Sequence, residues 1–496
     1  MKKILFFIFF IVLSISGIAE EKKDMSQLVI AQEGEARSLD PHFVNDGFSL
    51  RISKILFSRL VENDENMKII PGLAKTWKNI NGTTWEFQLK EGVKFHSGKE
   101  LTAEDVKFSF ERMMNSPRIS FILPPIKNIE IIDKYKFRII TIRPFGPLIS
   151  QLTHPALAIL NKDQINNNFE EFIANPDGTG PYKFLSWNRG EKILLKKNEN
   201  YFGKIPYFET ILIKIVPEAM NRTIMLETGE ADIAIAISPI DEKIIEKNMD
   251  LNLLKRVSIS YTYIGLNMKK DIFKDKKLRE AINYSIDREG IIDTVLNGDG
   301  QEADSPIATE VFGYSPKIKT YKYNIEKSKS LLNSIKNIPT LSLAVMSGGI
   351  EPQIAEVIQS NLKEIGINVQ IEVLEPAAYW ERTGLGQYDM FIGSWAAATG
   401  DADYGLYPTH HSSNFGVAGN RTFYKNEQVD KLLTQGRETI DEEKRKQIYE
   451  KIQKMIVDDS TEIMLYYKVL NAGIRKNIKG FKLYPIPIHD YSAAQK

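Results

Sequence analysis

The residue types that carry most enzymatic chemistry are sparse in this chain or stand at the wrong spacing. Cysteine is absent from the 496 residues. That excludes disulfides, thiol catalysis, cysteine-ligated zinc, iron–sulfur clusters and a lipid-modified N-terminal cysteine. No His-Glu-x-x-His zinc helix and no Gly-x-Ser-x-Gly elbow occurs. Gly98-Lys99 and Gly203-Lys204 lack the Walker pattern, because Glu100 and Ile205 stand where Ser or Thr is needed. Ser360-Asn361-Leu362-Lys363 fits a Ser-x-x-Lys spacing, but it falls inside an ordinary helical pattern with no companion motif. His410-His411 is the one histidine pair among six histidines. Neighbours in sequence do not share a helix face, so the pair reads as structural or surface. Acidic pairs abound, yet none is marked by spacing as an acid–base couple. The expectation is a chain with no resident cofactor or metal that performs no chemistry on what it binds.

The elements that must position any site are those of an α/β protein. Leu28-Val29-Ile30-Ala31 reads as a first strand. Trp85, Phe87 and Leu89 alternate with polar residues and predict a half-buried strand. Thr102, followed by Glu104 and Asp105, caps a helix running to Met114. Residues 128–142 predict two strands around Asp133-Lys134, and Gly178-Thr179-Gly180-Pro181 a turn before another strand. The clearest unit is a strand over 340–345, a turn at Ser347-Gly348-Gly349, a helix over 350–365 stopped by Gly366, and a strand over 367–374. Ile354, Val357, Ile358, Leu362 and Ile365 share one helical face, and strand–helix–strand order implies parallel pairing. A strand over 260–267 should cross between lobes. A helix over 441–458 follows, and the apolar run 478–483 is expected to be a strand returning to the first lobe.

The length allows two lobes with an appendage. Lys+Arg is 65 and Asp+Glu is 64, so nothing supports a nucleic-acid partner. Met1-Lys2-Lys3, the apolar stretch from Ile4 to Ile15 and Gly17-Ile18-Ala19 have the order of a secretory signal peptide cut before Glu20. Losing Lys2 and Lys3 takes the formal charge from +1 to −1. The expected product is a free periplasmic protein and a monomer.

Several stretches resemble family 5 solute-binding proteins, the dipeptide- and oligopeptide-binding receptors of ABC importers. They are Ala36-Arg37-Ser38-Leu39-Asp40-Pro41-His42, Ile70 to Trp77, Trp85 to Gly98, Leu101 to Ser109, Gly178 to Tyr182 and Arg279 to Arg288. Their order spans nearly the whole mature chain. Ser394 to Tyr404, with Tyr407-Pro408 and His411-Ser412, looks most like the glutathione-binding subgroup. The resemblance implies a two-lobed periplasmic-binding-protein fold of class II, or cluster C, with an extra subdomain over 46–175. The first lobe would span 20–264, the second 265–470, and 471–496 would return to the first. It implies capture of glutathione, a dipeptide or an oligopeptide between the lobes and delivery to a membrane permease. The rivals are a nickel chelate or haem in a receptor of the same family, and an exported peptidase or hydrolase.

The resemblance also implies that an acidic residue of the 394–404 loop binds the peptide ammonium, with Asp401 the best match and Asp403 second. The other reading of both is that they satisfy loop amides in a turn. The arginine that dipeptide receptors carry before the helix over 350–365 is missing. Ser347, Gly348 and Gly349 either receive the carboxylate at a helix N-terminus or form a tight turn. Arg37 and Arg382 are the other candidate anion partners, or solvated surface arginines. Trp395 and Tyr404 are expected as pocket walls, and Trp380 as core. Tyr261, Tyr263 and Asn267 are candidates either for the cleft or for hinge packing.

Overall fold

The computed structural model describes residues 25–496, so the expected signal peptide lies outside the described residues. Among these residues no helix is long and apolar enough to cross a membrane. One eleven-stranded sheet runs through both lobes. In the first lobe, Gln27–Gln32 pairs in parallel with Thr210–Ile215 and Ile233–Ile235. Lys192–Lys197 and Tyr182–Asn188 extend that edge antiparallel. In the second lobe, Leu341–Met346 lies parallel to both Val369–Leu374 and Met390–Ala396. The expected strand–helix–strand unit is present, its helix spanning Glu351–Glu364. Gly366 follows at φ +86°, a left-handed stop that glycine adopts without penalty.

Two long strands join the lobes. Leu251–Leu266 and Glu462–Arg475 run antiparallel to each other, from Leu251 opposite Arg475 to Gly265 opposite Glu462. Their register shifts between Val257 and Tyr261. There the backbone turns aside to the C-terminal segment, and Ile259 N and Ser258 Oγ both donate to Pro485 O at 2.9 Å. A bulge of this kind bends and twists the pair.

The inserted subdomain carries a four-stranded antiparallel sheet, ordered Ala74–Asn79, Thr84–Leu89, Lys136–Thr141 and Ile126–Asp133. Helix Ala103–Met114 covers it, started by Thr102, whose amide donates to the Asp105 carboxylate at 3.0 Å. The core of this subdomain is continuous with that of the second lobe, through Leu50, Phe145 and Leu148 on one side and Phe391, Leu406 and Tyr449 on the other.

One expected strand is corrected. Residues 478–483 are irregular, although Ile478, Phe481 and Leu483 are buried against the first-lobe core. Gly480 turns at φ +77°, and the backbone of Lys479 pairs with Gln495 alone, so no ladder forms. The return to the first lobe is made by Glu462–Arg475, which reaches Ile233–Ile235.

Candidate functional site

A cavity of about 870 Å³ lies between the inserted subdomain and the second lobe, within the size range of small-ligand sites. Asn45, Leu50, Gln151 and His154 line one side. Tyr263, Tyr379, Trp380, Trp395, Tyr404 and Tyr407 form the other, with Ile486 to Ile488 of the C-terminal segment.

Strand Met390–Ala396 delivers Trp395, and the first turn of helix Ala402–His410 delivers Tyr404. Their rings stack at 5.8 Å with an interplanar angle of 23°. The Trp395 Nε1 donates to Tyr404 O at 3.0 Å, which fixes the indole. Burial raises the Tyr404 phenol to about 12. Both expected wall residues therefore face the cavity.

Asp401 and Asp403 are each 3% exposed and do not line the cavity. Asp401 caps helix Ala402–His410, accepting from the Asp403 amide at 2.9 Å. Its remaining capacity is taken by Arg445 Nη2 at 2.7 Å and Ser150 Oγ at 3.1 Å. Arg437 donates to Asp403 through Nε and Nη2, both at 2.9 Å. Burial works against the charge on Arg437 and Arg445, but the facing carboxylates outweigh it and raise both above their ordinary values. The loop turned towards the cavity carries Ala396 and Ala398 instead. Both carboxylates of the expected amine anchor are thus paired with arginines, Asp403 with Arg437 and Asp401 with Arg445, and they brace the loop.

The other expected anchors also lie away from the cavity wall. Ser347 Oγ donates to Glu375 at 3.0 Å, and Gly348, at φ +82°, completes a tight turn beside the exposed Gly349. Arg37 is exposed and is held only through its own amide and carbonyl, the amide donating to Ser49 Oγ at 2.8 Å. Arg382 pairs with Glu372 at 2.7 Å. Tyr261 is 1% exposed and donates to Glu462 at 2.9 Å, while its neighbour on the same strand face, Tyr263, reaches the cavity. Asn267 ties Gly386 O and Tyr388 O at 2.9 and 2.8 Å, a packing role.

Among the lining residues that the sequence did not single out are Arg421 and Arg437, and Trp380 was misplaced. Arg421 follows the turn after residue 419, and its guanidinium lies 4.7 Å over the Trp380 ring. Its Nη1 donates to Trp380 O at 3.2 Å and Thr383 Oγ1 at 3.1 Å. Arg437 presents its other face to Tyr407, 3.4 Å from the ring centre. Trp380, expected in the core, is 47% exposed and lines the cavity. Helical rotation gives the core position to Tyr379, which donates to Ile392 O at 2.6 Å. Among the described residues no three His, Asp or Glu side chains come together to hold a metal ion.

The comparisons with known proteins agree with this architecture. The family model for bacterial extracellular solute-binding proteins, family 5, matches residues 68–417. The chain is 31% identical over 482 residues to a probable D,D-dipeptide-binding periplasmic protein of Escherichia coli, covering 94% of this chain and 92% of that one. It is 28% identical over 480 residues to a glutathione-binding protein of Pectobacterium atrosepticum, covering 94% and 93%. It is also similar to the Helicobacter pylori ABC transporter-associated periplasmic binding protein DppA, solved with the peptide STSA. The TM-score there is 0.81 at 30% identity, covering 94% and 97% of the two chains. The chain belongs to family 5 of the bacterial extracellular solute-binding proteins.

Proposed function

We propose that this protein is the receptor of an ABC importer, capturing a short peptide, with glutathione the first candidate, and handing it unaltered to a membrane permease from the periplasm. The observation that carries this reading is the cavity itself, walled by aromatic rings from the second lobe and by Gln151 and His154 from the inserted subdomain. A ligand seated there touches both sides at once, so it favours the closed arrangement over the open one. Broad ring faces with few fixed polar groups suit peptides of varied side chains. Trp395 and Tyr404 are proposed as the principal walls, Arg421 as a carboxylate partner, and Asp401 and Asp403 as the frame of the ligand loop. The leader at residues 1–19 is proposed to direct export. Calorimetric titration of the mature protein with glutathione, dipeptides and tetrapeptides tests the reading. Saturable heat with at least one class is expected, and no heat with any would overturn it.

A further inference from the structure

The charges on the cavity wall do not cancel. Among the described residues that line it, two are arginines and none is Asp, Glu or Lys. Arg437 is matched by Asp403 in a two-pronged pair. The neighbouring Arg445 is matched by Asp401. His154 is the one lining histidine, and burial depresses it to about 4, so it is neutral near pH 7. Arg421 is different. Its Nη1 meets only a carbonyl and a hydroxyl, its face meets an indole, and no carboxylate stands within ion-pair distance of it among the described residues. The carbonyl belongs to Trp380 in the middle of helix Pro376–Leu385, and a neutral carbonyl offsets only part of a full charge. Nε and Nη2 have no protein partner among the described residues. A half-buried guanidinium with open donors is a ready receiver for a carboxylate fork.

We infer that the ligand is a net anion, carrying one carboxylate more than it has ammonium groups, with the surplus carboxylate on Arg421. This deepens the peptide reading and rests on it. An ammonium in this cavity would meet ring faces and neutral oxygens, with no acidic partner to replace its hydration. Removing the amine's charge therefore costs little, whereas removing the carboxylate's charge leaves Arg421 enclosed without a counter-charge.

The test is titration of the mature protein with one backbone in three charge states, together with glutathione. Trialanine is the zwitterion, N-acetyl-trialanine the net anion and trialanine amide the net cation. The anion and glutathione are expected to bind roughly 10- to 100-fold more tightly than the amide, the range of a charge-assisted hydrogen-bond pair. The anion should at least equal the zwitterion. Arg421→Gln should erase that preference, while Arg421→Lys keeps part of it; a thermal melt of each checks folding. Tighter binding of the zwitterion than of its N-acetyl form would overturn the inference, as would an unaltered preference in Arg421→Gln. If no peptide binds, the peptide reading falls and citrate and 2-oxoglutarate are titrated against their amides. Binding confined to the anions would then support the charge inference, and binding of the amides, or of none, would overturn it.

Discussion

Arg445 shows what a buried charge does when its partner sits 44 residues away. It spans from its helix to Asp401 and so holds the cap of the helix that follows the ligand loop. Truncating one member of a buried pair leaves the other charge uncompensated. Arg445→Gln is expected to lower unfolding stability by about 3–5 kcal/mol in denaturant titration, and an unchanged midpoint would contradict the framing role. At the cavity, Trp395→Ala should weaken ligand binding by roughly 10-fold or more in calorimetry, since it removes both a wall and the ring stacked on Tyr404. Buried histidines set a pH dependence, His42 and His154 among them. Burial foremost depresses His42 and His154 from 6.5 to about 4. Between those values the unfolded chain binds protons that the native chain refuses. Their contribution to stability is therefore intact above about pH 6.5 and is lost as pH falls towards 4. The melting temperature should fall across that window, and His154→Gln should reduce the slope; an unaltered slope would remove His154 from the account. The aromatic walls were legible in the sequence because they belong to a loop with a recognisable spelling. Arg421, Arg437 and Arg445 were not, because whether an arginine is paired or open depends on which distant carboxylate the fold brings to it.

Elements of strong periodicity were readable and weakly patterned ones were not. The unit from Leu341 to Leu374 follows from a clean helical stripe between two apolar runs. The run 478–483 is just as apolar, yet no neighbouring strand offers it a ladder, so composition alone misled. Helix Pro376–Leu385 is short and apolar on two sides, and sequence could not say which side meets the cavity. The Gly178 to Pro181 turn has a packing reason. A Cβ at Gly178 would lie 2.0 Å from Leu56 O, and one at Gly180 2.2 Å from Ile55 O. Gly180→Ala is expected to cost about 1–3 kcal/mol in denaturant unfolding, since backbone cannot yield as a flexible side chain can. A loss under a few tenths of that would show the turn to be looser than it is drawn.

Across the whole molecule, the inserted subdomain grips the second lobe by few polar contacts. Ser150 Oγ reaches Asp401 at 3.1 Å, and the Gly146 amide donates to Arg437 O at 2.8 Å. Ser150→Ala should favour the open arrangement and weaken ligand binding several-fold, because affinity scales with the fraction of competent molecules. Small-angle scattering should show a larger radius of gyration for the unliganded variant than for the liganded parent protein; equal radii would argue against closure. The paired strands Leu251–Leu266 and Glu462–Arg475 carry a different consequence. Each belongs to both halves, so no single cut in the chain separates one half from the other with its sheet whole. Neither half is a transplantable module. Any exchange of specificity between relatives has to proceed by swapping loops around a shared spine, because grafting an entire half would sever the ribbon on which both are built.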